Sequence, residues 1–194
     1  MSTISKIFCD FDGVISNSIK RITELYNEDF KYYDKYSYVA PEDIRTWDFE
    51  ECNCATKEQI NAYFNQPRFF EELKLMPYAS TILKQLAENN DIIIVSAGDI
   101  PNLKLKEKYI REHFPFAEFI GVNINEYYDK SHIDMTDGFF IDDLCSNLIS
   151  SNARYKICFG RTETWNEEWI GKGIWCINWN EVDRYIYEMT AMKV

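Results

Sequence analysis

The sequence contains little glycine and proline, with 7 and 5 of these residues among 194, and it has no internal repeat or low-complexity tract. Disordered and fibrous chains are usually much richer in both residues. Hydrophobic residues make up 46% of the chain and aromatic residues 16%. We therefore expect one sizeable core, with roughly 70% of the unfolded chain's surface buried on folding.

Histidine and paired cysteines are also scarce. The two histidines and six cysteines, none of them in a C-x-x-C pair, do not offer the organised ligands of a structural zinc site. Cys9 and Cys158 lie in apolar runs, which predicts buried thiols. Residues 1–9 lack the apolar segment of a signal peptide, and no stretch approaches the ~20 apolar residues of a membrane span. We expect a reduced, soluble, cytoplasmic protein without a membrane partner.

Basic residues are outnumbered, because 21 lysines and arginines against 32 aspartates and glutamates give a net charge of −11. Binding to nucleic-acid polymers and anionic lipids depends on basic side chains that neutralise phosphates. Polymeric nucleic acid is therefore disfavoured as a partner. A small phosphorylated ligand is compatible with this balance, since a metal ion and one or two lysines can reverse the local field.

Short apolar runs alternate with segments of helical periodicity. The runs are apolar on both faces, which is typical of buried parallel strands, and comprise residues 6–9, 92–95, 139–141, 156–159 and 174–177. The helical stripes after the first run include Ile82, Leu83 and Leu86, then Val182, Ile186 and Met189. This alternation predicts an α/β fold with a parallel sheet flanked by helices.

Residues 14–75 interrupt the alternation, because they contain no convincing apolar strand and are crowded with aromatic and charged residues. Thr56 and Gln59 form a capping-box pattern that predicts a helix over residues 55–65. An earlier helical stripe comprises Ile19, Ile22, Tyr26 and Phe30. We expect an α/β core made of residues 1–13 and 76–194, with residues 14–75 inserted as a small helical cap.

Polar clusters stand where three of the apolar runs end. Asp10 and Asp12 follow the first run, Ser96 follows the second, and Asp142 and Asp143 follow residues 139–141. The carboxyl ends of parallel strands share one edge, where such sheets bind ligands, so we expect these residues to converge.

Each cluster taken alone has a plainer interpretation. An Asp-x-Asp-Gly segment could be a turn or part of a calcium loop, although Arg21 stands where that loop needs a glutamate. Ser96 could be an ordinary hydroxyl at a strand end, and the Asp142-Asp143 pair could cap a helix. Lys130 by itself would be a surface lysine.

The joint order is more specific: Asp-x-Asp-Gly-Val after a strand, then Ser after a strand, then Lys, then Asp-Asp after a strand. This order resembles the four motifs of the haloacid dehalogenase-like phosphohydrolase superfamily, which implies a Rossmann-like sheet. The insertion after the first motif matches the helical cap of one subgroup. Within the superfamily, residues 43–49, 69–73 and 106–114 resemble the 5′(3′)-deoxyribonucleotidases. The short interval between Lys130 and Asp142 also resembles that family.

The resemblance implies a hydrolase of phosphoric monoesters. Asp10 would be the nucleophile that forms an aspartyl-phosphate, and Asp12 the general acid and base. Ser96 would donate a hydrogen bond to a phosphoryl oxygen. Lys130 would offset the charge on Asp10 and on the transferring group.

The implied cofactor is Mg²⁺, a hard cation that prefers oxygen ligands and shares them with phosphate. The carboxylates of Asp10 and Asp142 and the backbone carbonyl of Asp12 would bind it. Asp143 would lie next to these ligands without binding the ion directly, or it would bind the ion through a water molecule.

The expected substrate-binding residues include Trp47, Phe49 and Phe70 as contacts to a nucleobase, because bases stack on aromatic rings. The other members of this set are Ala97, Gly98 and Lys106, and Trp165 is a candidate for the rim. The sequence departs from the nucleotidase pattern at three positions. Ser18 stands at an aromatic position, Ala97 at a hydroxyl position and Tyr128 at an arginine position.

The leading hypothesis is hydrolysis of (deoxy)ribonucleoside monophosphates to nucleoside and phosphate. One alternative is the same chemistry on another small phosphorylated metabolite, such as a sugar phosphate. A second is a non-catalytic protein that binds phosphorylated ligands, and the motif order argues against a receiver-like signalling domain. We also consider a homodimer.

Overall fold

The computed structural model describes residues 6–191, so that residues 1–5 and 192–194 of the predicted core lie outside the described part. Its centre is a six-stranded sheet with the order β3-β2-β1-β4-β5-β6, in which every neighbouring pair is parallel. The strands are β1 (Lys6–Cys9), β2 (Asp91–Gly98), β3 (Glu118–Asn123), β4 (Gly138–Asp142), β5 (Tyr155–Phe159) and β6 (Ile174–Cys176). The predicted α/β, Rossmann-like class is confirmed.

Seven α-helices are present in the described part of the chain. They are α1 (Ser18–Phe30), α2 (Lys57–Phe64), α3 (Pro67–Glu71), α4 (Ala79–Leu86), α5 (Ile100–His113), α6 (Cys145–Ser150) and α7 (Trp179–Ala191). Within residues 6–191, none of the helices is long and apolar enough to span a membrane.

Alternate strand residues enter two separate core clusters, one on each face of the sheet. Ile7 and Cys9 belong to the first cluster, together with residues of α4, α5 and α7, whereas Phe8 belongs to the second, together with Leu148 of α6. Successive side chains of a strand point to opposite faces, so both faces of the sheet are covered. The apolar runs of the sequence are two-sided for this reason.

The edge strand β3 is an element that the sequence patterns did not predict. It pairs with β2 alone, and of its six residues only Val122 is buried. Its apolar residues, Phe119, Ile120 and Val122, are interrupted by Gly121, a residue that is depleted in strands. The six cysteines are free thiols, and Cys9 and Cys158 are completely buried, as predicted.

The segment between β1 and α4 contains α1, α2, α3 and two 3-10 helices, at Pro41–Asp43 and Phe49–Cys52. The predicted capping box is present: the Thr56 hydroxyl accepts from the N–H of Gln59, whose side chain accepts from the N–H of Thr56. Consequently α2 begins at Lys57. The two ends of the segment lie side by side, where the N–H of Met76 donates to Ile15 over 2.8 Å. These features support a helical insertion, while the cap boundary at residues 14–75 stays a prediction.

Gly138 offers a test of the packing at the centre of the sheet. A Cβ added there would lie 2.8 Å from the ring of Phe8 and 3.0 Å from the carbonyl oxygen of Lys6. We expect Gly138→Ala to lower the free energy of unfolding by about 1–3 kcal/mol, because neither β1 nor its buried ring can withdraw easily. Gly121→Ala is the control, since its Cβ would meet only mobile side-chain atoms, at 3.3 Å or more. Equal losses in urea denaturation would contradict this account.

Candidate active site

The candidate site lies at the carboxyl edge of the sheet, where β1, β2 and β4 end side by side. Asp10 and Asp12 follow β1, Ser96 lies near the end of β2, and Asp142 is the last residue of β4. The N–H of Asp10 donates to the carbonyl of Ile141 over 2.8 Å, which extends the pairing of β1 and β4 into the site. The parallel topology thus brings together residues that are far apart in the sequence.

A cavity of about 390 Å³ opens at this edge, a size suited to a small ligand. The predicted site residues that line it are Asp10, Asp12, Trp47, Ala97, Gly98, Lys106, Lys130 and Asp143. Ser96 and Asp142 stand behind the wall, where both are fully buried. They reach the lining through side-chain contacts with Lys106 and Lys130, respectively.

Lys130 is a buried cation between two carboxylates. Its Nζ lies 2.8 Å from Oδ1 of Asp10 and 2.7 Å from Oδ2 of Asp142, and the residue is 1% exposed. Burial by itself lowers the pKa of a lysine, but the two carboxylates raise the pKa of Lys130 above its ordinary value. Lys130 therefore stays charged, and it holds the ends of β1 and β4 together.

The same cluster contains more negative charge than one lysine neutralises. Asp10, Asp142 and Asp143 each place a carboxylate oxygen within 4.8 Å of the others. Burial raises the pKa of Asp10 to about 7, with Lys130 opposing and Asp142 adding to the shift. Burial, Asp142 and Asp10 likewise raise the pKa of Asp143. A hard divalent cation would relieve this repulsion, so the residues fit the predicted Mg²⁺.

Gly13 explains why a glycine follows the Asp-x-Asp pair. Its φ is +74°, in the left-handed region, and a Cβ there would collide with the carboxylate of Asp143. The loop after β1 can therefore pass close to the end of β4 only with glycine at this position.

Asp12 is held from two sides. Its Oδ1 accepts a hydrogen bond from the hydroxyl of Ser18 over 2.6 Å, and its Oδ2 lies 2.5 Å from Nζ of Lys106. Lys106 is 1% exposed and also donates to the Ser96 hydroxyl, over 2.9 Å, and to the carbonyl of Ala97, over 2.8 Å. Lys106 thus contacts the proposed general acid and the second motif, a role that the prediction of substrate binding did not specify.

Sequence patterns contained a signal for Lys106 but little for Ser18. In α5 the buried residues are Asn102, Lys106, Tyr109 and Ile110, so the lysine occupies the inward stripe of the helix, where an unpaired charge is costly. Ser18 is the first residue of α1 and shows no such pattern. Its contact with Asp12 depends on how α1 leaves the loop after β1.

The aromatic residues that were predicted to contact a ligand lie in different places, and only one of them lines the cavity. Trp47 lines the cavity, with its ring 5.9 Å from that of Phe49 and 5.1 Å from that of Trp165. Phe49 is completely buried, and its position supports packing behind Trp47 instead of direct contact with a ligand. Phe70 packs against Tyr109, away from the cavity lining. Trp165 lines a second cavity, of about 340 Å³.

The family model described as "5' nucleotidase, deoxy (Pyrimidine), cytosolic type C protein" matches residues 3–193. The chain belongs to this family. A 5′(3′)-deoxyribonucleotidase of Clostridium acetobutylicum is 31% identical over 144 residues, which are 72% of this chain and 73% of that protein. A putative 5′(3′)-deoxyribonucleotidase of Staphylococcus aureus is 38% identical over 61 residues, 30% of this chain and 34% of that protein.

Solved structures with low sequence identity share the fold. A haloacid dehalogenase-like hydrolase from Streptococcus pneumoniae has a TM-score of 0.64 at 16% identity, covering 90% of this chain and 94% of that one. A predicted phosphatase from Clostridium acetobutylicum has a TM-score of 0.64 at 15% identity, covering 96% and 100%. These likenesses confirm the haloacid dehalogenase-like fold. The family match and the relatives confirm the predicted class of enzyme, a phosphoric monoester hydrolase.

The raised pKa of Asp10 predicts a pH-dependent effect of Asp10→Asn on the metal-free nucleotidase homologue. The folded protein keeps this proton up to about pH 7, whereas the unfolded chain releases it near pH 3.8, so stability is lost as the pH rises between these values. An amide cannot ionise. With chelator present, we expect Asp10→Asn to stabilise the protein by a few kcal/mol more at about pH 8 than at about pH 5.

Urea denaturation at both pH values measures this difference. Asp91→Asn, at an exposed position that opens β2, is the surface control and should change stability by less than about 0.5 kcal/mol. The same gain from Asp10→Asn at both pH values would refute the assigned pKa.

The contact between Lys106 and Asp12 predicts non-additive effects on stability. Lys106→Met should lower the free energy of unfolding by about 3 kcal/mol, because it leaves a largely buried carboxylate without its cation. Adding Asp12→Asn should recover part of that loss, and Lys104→Met, on the exposed face of α5, should change stability by less than about 0.5 kcal/mol. Strict additivity in this double-mutant cycle would show that the pair is not coupled.

Proposed function

We propose that the protein is a Mg²⁺-dependent phosphatase that hydrolyses deoxyribonucleoside monophosphates to nucleoside and phosphate. The observation that carries the proposal is the buried contact between Lys130 and Asp10 beside Asp12, in a cavity of a chain that belongs to a nucleotidase family. The substrate class follows the names of the family and its relatives, which are deoxyribonucleotidases.

Asp10 is the proposed nucleophile. Its carboxylate attacks phosphorus, an aspartyl-phosphate bond forms, and the bond from phosphorus to the sugar oxygen breaks. Lys130 holds one oxygen of Asp10 at 2.8 Å and brings positive charge to the phosphoryl group. With a pKa of about 7 in the metal-free site, Asp10 needs additional positive charge to stay ionised near neutral pH.

Asp12 is the proposed general acid and base. It gives a proton to the departing sugar oxygen, and then takes one from the water that hydrolyses the aspartyl-phosphate. Ser18 and Lys106 fix its two oxygens and limit the rotation of the side chain. We assign these two residues a positioning role, together with Ser96, whose hydroxyl also lies close to Asp12.

Mg²⁺ would be held by the carboxylates of Asp10 and Asp142 and by the backbone carbonyl of Asp12, with Asp143 beside them. When bound, it supplies positive charge to the reacting oxygens and to the carboxylates. The cytoplasmic location and the homodimer stay predictions.

Two departures from the nucleotidase pattern favour a second candidate, the same hydrolysis on another small phosphorylated metabolite such as a sugar phosphate. Ser18 stands at an aromatic position of the pattern and is engaged with Asp12. Tyr128 stands at an arginine position and is fully exposed to solvent. Both positions thus differ in residue type from the nucleotidase pattern, and turnover on both kinds of substrate separates the candidates.

The test is phosphate release from a panel of deoxyribonucleotides, ribonucleotides and sugar phosphates. We expect the highest kcat/KM for a deoxyribonucleoside monophosphate, loss of turnover with a chelator and its return with Mg²⁺. Asp10→Asn should reduce turnover at least about 10³-fold with the fold retained by circular dichroism, whereas Asp91→Asn should not.

Each contrary result removes a different part of the proposal. Full turnover by Asp10→Asn would exclude the aspartyl-phosphate mechanism. Equal turnover on all phosphates would exclude the substrate assignment. No turnover at all would favour the non-catalytic binding protein.

A further inference from the structure

Three residues that line the active-site cavity contain a buried polar atom without a hydrogen-bond partner. Oδ1 of Asp10 is ion-paired with Lys130, whereas Nε1 of Trp47 and Oδ1 of Asn65 have no partner among residues 6–191. Nε1 of Trp165, in the neighbouring cavity, is unpartnered as well. Trp47 and Asn65 line the cavity that also contains Asp10 and Lys130. A buried polar group left without a partner costs about 1–3 kcal/mol, and proteins seldom retain one without a reason. A ligand bound in this cavity would supply the missing partners.

The orientation of the Asn65 amide is determined by its neighbour. Its Nδ2 donates to Oδ2 of Asp99 over 2.8 Å, and Asp99 is itself fixed as the N-cap of α5, where its Oδ1 accepts from the N–H of Asn102. A carboxylate only accepts hydrogen bonds, so the amide nitrogen must face it. The oxygen of Asn65 is therefore left as a fixed acceptor.

The residues around Trp47 favour contact of a ligand with the edge of the indole ring over contact with its face. Its ring lies nearly parallel to that of Phe49, with an interplanar angle of 15°, and packs against Trp165 at 46°. These two aromatic neighbours occupy ring surface that a stacked base would use. The indole N–H can only donate, and no group among residues 6–191 accepts from it.

Both residues belong to the segment between β1 and α4, whereas Asp10 and Lys130 belong to the sheet edge. Trp47 precedes the 3-10 helix at Phe49–Cys52, and Asn65 follows the last residue of α2. A phosphorylated ligand with its phosphate at Asp10 would direct its other end towards these residues. The far end of a nucleoside monophosphate is the base, whose edge carries an N–H donor and an acceptor.

We propose that the indole N–H of Trp47 and the Oδ1 of Asn65 form a specificity-determining pair that reads the polar edge of the nucleobase. The indole donates to a ring nitrogen or carbonyl of the base, and Asn65 accepts from a base N–H. This assignment rests on the proposed function. It replaces stacking by Trp47 with recognition by hydrogen bonds, which discriminates strongly against analogues that lack the matching group.

The test compares three substrates. Deoxythymidine 5′-monophosphate carries an N3–H between two carbonyls, its N3-methyl analogue lacks that donor, and 2-deoxyribose 5-phosphate lacks the base. Asn65→Leu also removes the hydrogen bond to Asp99, a loss that affects all three substrates alike. The ratio of kcat/KM for the first to that for the third should therefore fall about 10- to 100-fold, because the base contact is lost only with the first. The N3-methyl analogue should be poor for wild type, and Asn65→Leu should lower its kcat/KM no more than that of the third.

Trp47→Phe keeps an aromatic ring but removes the N–H, so we expect about a 10-fold loss confined to substrates with a base. Asn89→Leu is the matched control, since Asn89 is exposed in the turn before β2, at the opposite edge of the sheet. An unchanged ratio between deoxythymidine monophosphate and 2-deoxyribose 5-phosphate in Asn65→Leu would overturn the proposal. So would equal losses on both, which indicate a structural role.

Calorimetric binding of thymidine separates this inference from the proposed function. Weaker binding of thymidine by Asn65→Leu than by wild type would support the base contact, even if the protein releases no phosphate. The absence of phosphate release would overturn the proposed function but not this inference. Equal binding by both, or no binding by wild type, would show that water satisfies the two atoms and would overturn the inference.

Discussion

The ion pairs of Lys130 with Asp10 and Asp142 are the interaction on which the site depends. Three buried carboxyl groups meet at the ends of β1 and β4, and without a cation their mutual repulsion would push these ends apart. The lysine neutralises part of this charge and leaves an excess that suits a divalent cation. Under the proposed function, stability and activity conflict here, because the arrangement that destabilises the metal-free protein is the one that would bind metal and phosphate.

A second buried lysine organises the other half of the site. Lys106 joins the Asp12 carboxylate to the end of β2, and Ser18 approaches the same carboxylate from the beginning of α1. Asp12, the proposed general acid, is thereby connected both to the core and to the helical insertion. Two more hydrogen bonds cross this junction, from Asn65 to Asp99 and from Asn102 to the carbonyl of Phe64. Movement of the insertion would consequently disturb both Asp12 and the far end of the cavity.

Sequence patterns predicted most of the sheet and the convergence of its polar ends, for reasons that individual residues make clear. Runs such as residues 92–95 are apolar on both faces because both faces of β2 are buried, and that pattern is visible in sequence. In the edge strand β3 the apolar residues are only partly buried except for Val122, and Gly121 interrupts them, which makes the pattern weaker. The capping box at Thr56 is local and was predictable, whereas the contact of Ser18 with Asp12 depends on the path of the loop between them.

The sequence by itself determined the α/β class and the placing of Asp10, Asp12 and Asp142 at strand ends, because these follow from residue type and periodicity. Only the tertiary structure decided which charges are paired and which polar atoms are left unpaired. Lys106 pairs with Asp12, Phe49 packs against Trp47, and the side-chain oxygen of Asn65 has no hydrogen-bond partner among residues 6–191. Such outcomes depend on how the helices pack over the sheet edge. There the rotation of one side chain decides whether a polar atom meets a hydrogen-bond partner or faces a cavity.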